Sequence, residues 1–114
     1  MPPRTWELRV RDILTSIVAI EDYAGAMSYE EFRRDRKTVD AVLRNLEIIG
    51  EAAANVPPAV QGQHPDIPWD EMRRIRNVVV HVYFGVNLPI VWRTIQDDLA
   101  PLKAQLEAML GEGD

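Results

Sequence analysis

The chain contains no cysteine, which excludes disulfides, thiolate metal sites and thiol nucleophiles together. Histidine is nearly as scarce: His64 and His81 are the only two among 114 residues. A zinc site built from two histidines and carboxylates finds no ligand spacing to support it. No stretch approaches the roughly 20 apolar residues that span a bilayer. The segment Met1 to Glu7 lacks the apolar run of a signal peptide, so the cytoplasm is the expected location. Positive charge is not in excess either: 13 Lys and Arg stand against 18 Asp and Glu, a net charge of −5. A protein that coats nucleic acid is normally basic. A small basic site on an acidic chain remains compatible with that total, because salt screens charges beyond about 8–10 Å. Internal repeats, low-complexity tracts and strand-like alternation are also absent.

What is present is the balance of one globular domain over residues 1–114. Apolar residues make up 46% and charged residues 27%, enough for a modest core. The apolar residues recur at steps of three and four, the period of a helix face. Trp6, Val10, Ile13, Ile17, Ile20 and Ala24 predict a helix from Thr5 to Gly25. Ser28 and Glu31 match a capping box opening a short helix anchored by Phe32. The run Arg33 to Lys37 reads as a solvated connector. Val39, Val42, Leu43, Leu46, Ile49 and Ala53 predict a helix from Thr38 to Asn55. Its small residues Gly50, Ala52, Ala53 and Ala54 suit close approach of a second helix, so this segment should be central.

Pro57 and Pro58 end that helix. A loop follows as far as Pro68, with a helical turn near Val60 and His64 at the surface. Pro68, Asp70 and Glu71 suit the start of a helix that runs to Tyr83. Asn87 is the expected cap of the last helix, whose stripe is Val91, Ile95, Leu99, Leu102, Leu106 and Met109. Pro101 should kink or split it, and Gly111 to Asp114 should fray. The expected architecture is an all-α antiparallel bundle of four main helices plus short pieces. Trp6, Trp69, Trp92, Tyr29 and Phe84 are expected in the core or an interface rather than as base-stacking platforms.

One stretch does not fit a purely structural helix. Arg76, Asn77, His81 and Tyr83 stand among the valines of residues 76–83. A histidine titrates near neutrality and can take or give a proton. An arginine holds phosphate through a planar fork and stabilises growing negative charge. Together they suit RNA cleavage without metal. On an ideal helix His81 is about 140° from Arg76, so the spacing permits a shared site without requiring one. Taken alone, the spacing fits a hydrogen-bonded core histidine and a structural ion pair at least as well. Burying Arg76, Asn77 and His81 together with no function would be costly, however. One histidine does not easily serve as both acid and base in one step, whereas a symmetric dimer supplies two.

The sequence around this stretch resembles the HepT-like toxins of the HEPN superfamily. The motif of an arginine, a polar residue, a short gap and a histidine is matched by Arg76, Asn77 and His81. A tyrosine two positions on is matched by Tyr83. The likeness extends through residues 28–32, 35–38, 40–53, 67–69 and 83–86, in order and spacing, and so covers nearly the whole chain. The resemblance implies a helical bundle that dimerises, with composite sites near the dimer interface. It implies a metal-independent endoribonuclease that needs no cofactor, with RNA as substrate. Arg76 and His81 become the catalytic pair, supported by Asn77. It also implies a partner, a minimal nucleotidyltransferase antitoxin that adenylylates the motif tyrosine, here Tyr83. Nucleotides there would add bulk and negative charge beside Arg76. Arg73, Arg74, Arg36, Lys37 and Arg44 are weaker candidates for tracking RNA phosphates. A different reading stays open at this level: a helical partner modified by a nucleotidyltransferase, with no nuclease activity of its own.

Overall fold

The computed structural model describes residues 5–83 and 87–112, and of residues 5, 80–83 and 112 the backbone only. Every regular element among them is helical. Helix α1 spans Thr5–Ala24 and buries Val10, Ile13, Ile17 and Ile20 completely. It stops at Gly25, where a side chain would collide with the Glu21 carbonyl of the preceding turn. Helix α2 is Tyr29–Arg34 and opens with the expected capping box. Glu31 N donates to Ser28 Oγ at 3.1 Å, and Ser28 N donates to Glu31 Oε1 at 2.9 Å. Phe32, fully buried, packs against the Trp92 ring at 5.2 Å.

The charged run 33–37 is not a connector. Arg33 and Arg34 end α2, and Arg36 already begins α3, Arg36–Ala54, so Asp35 alone separates the helices. Asp35 makes this possible by capping α3: its Oδ1 accepts from Thr38 N at 3.1 Å. That bond from the Thr38 backbone holds the carboxyl below the usual aspartate range. Such a cap replaces one partner that the first helical N–H groups lack.

Helix α3 is the centre of the fold, with α1 packed along one side and α5 along another. A short helix α4, Pro58–Gln63, follows the proline pair. Gln61 ties this corner together. Its Nε2 donates to the Val56 carbonyl at 2.9 Å and the Ala53 carbonyl at 3.3 Å, near the end of α3. Half-buried His64 follows α4, and its carbonyl accepts from the buried Trp69 indole at 3.0 Å. Helix α5 spans Trp69–Tyr83.

The last long helix is split, though not at Pro101. Helix α6, Leu88–Arg93, runs into a π-helical turn at Thr94–Asp98, and α7, Leu99–Glu112, continues from it. Pro101 therefore sits in the first turn of α7. A proline ring clashes with the carbonyl four residues back, here Asp97, and the wider π turn relieves the clash before the proline is reached. The stripe survives the interruption, because Val91, Ile95, Leu99, Leu102, Leu106 and Met109 are all buried. Asn87 precedes α6 but its side chain makes no cap bond, and the first-turn proline leaves one donor fewer to satisfy. Lys103 Nζ meets Glu21 Oε1 at 3.1 Å, joining α7 to α1. Phe84 and residues 113–114 lie outside the described residues.

Candidate functional site

Helix α5 is continuous through residues 76–83, so its positions are related by ordinary helical steps of about 100° and 1.5 Å. Position 83 lies about 20° round from position 76 and roughly 10 Å along. Position 81 lies about 140° round. Asn77 stands between them, one turn before position 81 and about 40° from it. A single α5 therefore does not gather Arg76 and position 81 onto one face. Asn77 is the motif residue that shares a face with 81. The side chains of His81 and Tyr83 lie outside the described residues.

The inner face of α5 consists of Trp69, Met72 and Val79, all buried, flanked by half-buried Ile75 and Val78. That stripe turns Arg76 and Asn77 outward, and both are exposed. The expectation that the motif's polar residues are buried together is corrected for these two. The desolvation cost that argued against a plain structural helix does not arise for them.

Other arginines are engaged where Arg76 is not. Arg73 donates to Gln61 Oε1 at 2.7 Å and pairs with Asp70. It is a strut between α4 and α5. Arg36 pairs with Asp40 at 3.1 Å and Arg44 with Glu47 at 3.5 Å. Arg33 pairs with Glu30 at 2.8 Å, and that bond lowers the Glu30 pKa and raises that of Arg33. Arg76 and Arg74 take part in none of the ion pairs or side-chain hydrogen bonds formed among the described residues, while Lys37 interacts with the Asp35 carboxyl. The structural ion-pair reading of Arg76 thus finds no described carboxylate to support it.

The stem of Arg76 is nevertheless placed. A methyl group added at Gly50 would come within 2.6 Å of Arg76 Cγ and 3.3 Å of Cδ, so the chain of Arg76 lies directly over that glycine. The same contact sets the register of α3 against α5. The helices run in opposite directions through the α4 corner. Gly50 lies opposite residues 72–76, so Arg44 stands across from about position 80. Arg36, Lys37 and Arg44 therefore lie towards the motif's end of α5, and Arg73 towards its start.

On its other side α5 faces a groove of about 500 Å³ shared with the π turn and α7. Met72, Ile75, Val78, Leu99 and Leu102 make its wall apolar, and Glu71, Asp97 and Asp98 face it with Arg74. Three carboxylates suit this groove poorly to a phosphate chain. Among the described residues no group of three or more His, Asp or Glu is placed to hold a metal ion, and no helix is long and apolar enough to cross a membrane. Sequence reasoning singled out Arg76 but did not connect it with Gly50. The signal was a glycine inside a strongly periodic helix, a position that costs stability unless space is needed there.

The family model "Ribonuclease HepT-like" matches residues 13–109. A probable ribonuclease HepT of Thermococcus cleftensis is 42% identical over 100 residues, 88% of this chain and 91% of the relative. A putative RNase of Methanocaldococcus jannaschii is 34% identical over 118 aligned residues, 100% of this chain and 98% of the relative. A putative RNase of Caldanaerobacter subterraneus is 39% identical over 84 residues, 74% of this chain and 75% of the relative. No solved structure matches. With a family model spanning most of the bundle and relatives of nearly the same length, the chain belongs to the ribonuclease HepT-like family.

Proposed function

We propose that this protein is a metal-independent endoribonuclease, the toxin of a toxin–antitoxin pair. Its site is formed by Arg76, His81 and Asn77 at the interface of a homodimer. The observation that carries this reading is the state of Arg76: an exposed guanidinium with no described carboxylate partner, inside the segment that the ribonuclease family model covers. An arginine kept out of ion pairs is available to an anion. RNA supplies one in every phosphate.

The chemistry follows from the residue types. An imidazole takes the proton of a ribose 2′-hydroxyl. The 2′-oxygen then bonds to the adjacent phosphorus as the bond to the 5′-oxygen breaks, and a second imidazole protonates that leaving oxygen. The products are a 2′,3′-cyclic phosphate and a 5′-hydroxyl. Arg76 stabilises the charge that builds on the phosphoryl oxygens, and Asn77, one turn before His81, orients the site. Each chain has one histidine in the motif, so the acid and the base come from two chains. Lys37, Arg36 and Arg44 flank the same end of α5, whereas Arg74 faces the carboxylate-lined groove on the other side of the helix and is the poorer candidate. Arg73, already engaged, contributes least to RNA binding. Tyr83 shares the face of Arg76. A nucleotidyltransferase antitoxin that adenylylates it places phosphate beside the guanidinium and closes the site to RNA.

The test is expression of the chain alone, with growth and RNA integrity followed, against His81→Ala and Arg76→Ala. Loss of a general acid–base group or of a charge-stabilising donor costs about 10²–10⁴-fold and 10²–10³-fold respectively. Intact RNA with all three proteins would reject the nuclease and leave a modified binding partner. Cleavage at the wild-type rate by both variants would reject this site.

A further inference from the structure

The structure assigns Gly50 a specific role as the seat of Arg76, a positioning residue for the guanidinium rather than a group that touches RNA. The inference deepens the nuclease reading above and rests on it for its catalytic half. Gly50 is buried in the interior of α3. A helix interior disfavours glycine relative to alanine, so a reason other than helix formation must hold it there. Left-handed backbone is not the reason, since Gly50 lies within a regular helix. The reason is space. A methyl group at position 50 would meet Arg76 Cγ at 2.6 Å, the Met72 carbonyl oxygen at 3.2 Å and Arg76 Cδ at 3.3 Å. Gly62 and Gly111 offer a contrast, because a methyl group on either would meet nothing within 4 Å.

The atoms involved determine what a substitution does. Cγ and Cδ belong to the root of the Arg76 side chain, so the collision is not relieved by swinging its tip. Either Arg76 leaves its rotamer or α5 shifts away from α3. Both move the guanidinium. The contact to the Met72 carbonyl asks for a few tenths of an ångström only. Gly50 thus lets the apolar stem of an exposed arginine lie in a groove of α3 while the charged head stays in water. A stem confined in this way presents its fork from a defined point at the α3–α5 edge, the kind of preorganisation that charge stabilisation requires.

A double-mutant cycle tests the seat without reference to activity. Thermal midpoints are measured for the wild type, Gly50→Ala, Arg76→Ala and the double variant. Gly50→Ala should lower the midpoint when Arg76 is present. In the Arg76→Ala background it should leave the midpoint unchanged or raise it, because the crowded atoms are gone and alanine is the better helix former. Equal shifts in the two backgrounds overturn the proposal. If Gly50→Ala does not fold, the double variant still decides: folding like Arg76→Ala supports the seat, and failure to fold overturns it. The catalytic half is read from RNA cleavage by folded protein. Gly50→Ala should lose at least about tenfold in kcat with a smaller change in KM. Leu106→Ala, a truncation in α7, should lose stability and keep kcat when assayed below its midpoint. Wild-type kcat in Gly50→Ala overturns the positioning role even if the cycle is non-additive. A wild-type chain that cleaves no RNA removes the nuclease reading, and the thermal cycle then stands as the whole test of the seat.

Discussion

Arg76 and Arg73 lie one turn apart on the same helix, yet they have different surroundings. Arg73 is held by Gln61 and Asp70, whereas Arg76 rests its stem on Gly50 and keeps its head unpaired among the described residues. Position 83 follows Arg76 at a spacing that puts both on one face of α5. If the proposed adenylylation falls on Tyr83, Tyr83→Phe should abolish it and keep RNA cleavage near the wild-type rate. Intact-protein mass after co-expression with the nucleotidyltransferase checks this. A nucleotide mass retained on the variant would assign the modification elsewhere. A second residue-scale expectation concerns pH. The Asp35 carboxyl is held below its ordinary range by the Thr38 backbone N–H. A depressed carboxylate stabilises the fold above its unfolded-state pKa, about 3.9, and that stability is lost as pH falls through the lower folded value. Asp35→Ala should lower the thermal midpoint at pH 7. The gap from wild type should narrow as pH drops below about 4, and a gap that stays constant would mean the carboxylate's charge is not what holds the cap.

At the scale of the elements, the sequence read most clearly where periodicity was long and uninterrupted. The buried faces of α1, α3 and the α6–α7 stripe were legible, because steps of three and four between apolar residues are the physical requirement for burying one side of a helix. It read less clearly at the breaks. Nothing in Arg33 to Lys37 announces that one aspartate separates two helices, since both flanks are good helix formers and only the cap geometry distinguishes them. Pro101 signalled an interruption, but the chain makes its adjustment one turn earlier, where the clash with the Asp97 carbonyl would fall. Of the site, the residue types of the motif were legible and their outward rotation was not: the valines around them suggested burial, while the inner stripe belongs to positions 69, 72 and 79. The Gln61 corner was invisible for a further reason, being a contact between three elements. Gln61→Ala leaves the carbonyl of Val56 short of a partner, while that of Ala53 still accepts from Val56 N, and it removes one of the two partners of Arg73. It should cost about 1–3 kcal/mol, measured by denaturant unfolding with an unchanged m value. Arg73→Ala should be less than additive with it. Full additivity would mean that the two side chains do not share one strut.

For the whole molecule, the continuity of α5 has a consequence. Positions 76 and 81 lie about 140° apart on one continuous helix, and each chain brings one motif histidine. On the proposed function, a single chain would present its anion-binding arginine and its one motif histidine at positions on different faces of α5. The proposed homodimer would resolve both deficits, each chain supplying to the other's face what that face lacks. Dilution with an inactive chain then separates a composite site from two independent ones. When wild type and His81→Ala are refolded together in equal amounts, a site that needs both histidines works only in wild-type pairs. Total activity falls to about one quarter of that of undiluted wild type for random pairing. If each chain cleaves on its own, activity falls only to about one half. Across a series of mixing ratios the first case follows the square of the wild-type fraction and the second follows it linearly. A linear series would place acid and base within one chain, which α5 as a continuous helix permits only through a group outside the motif.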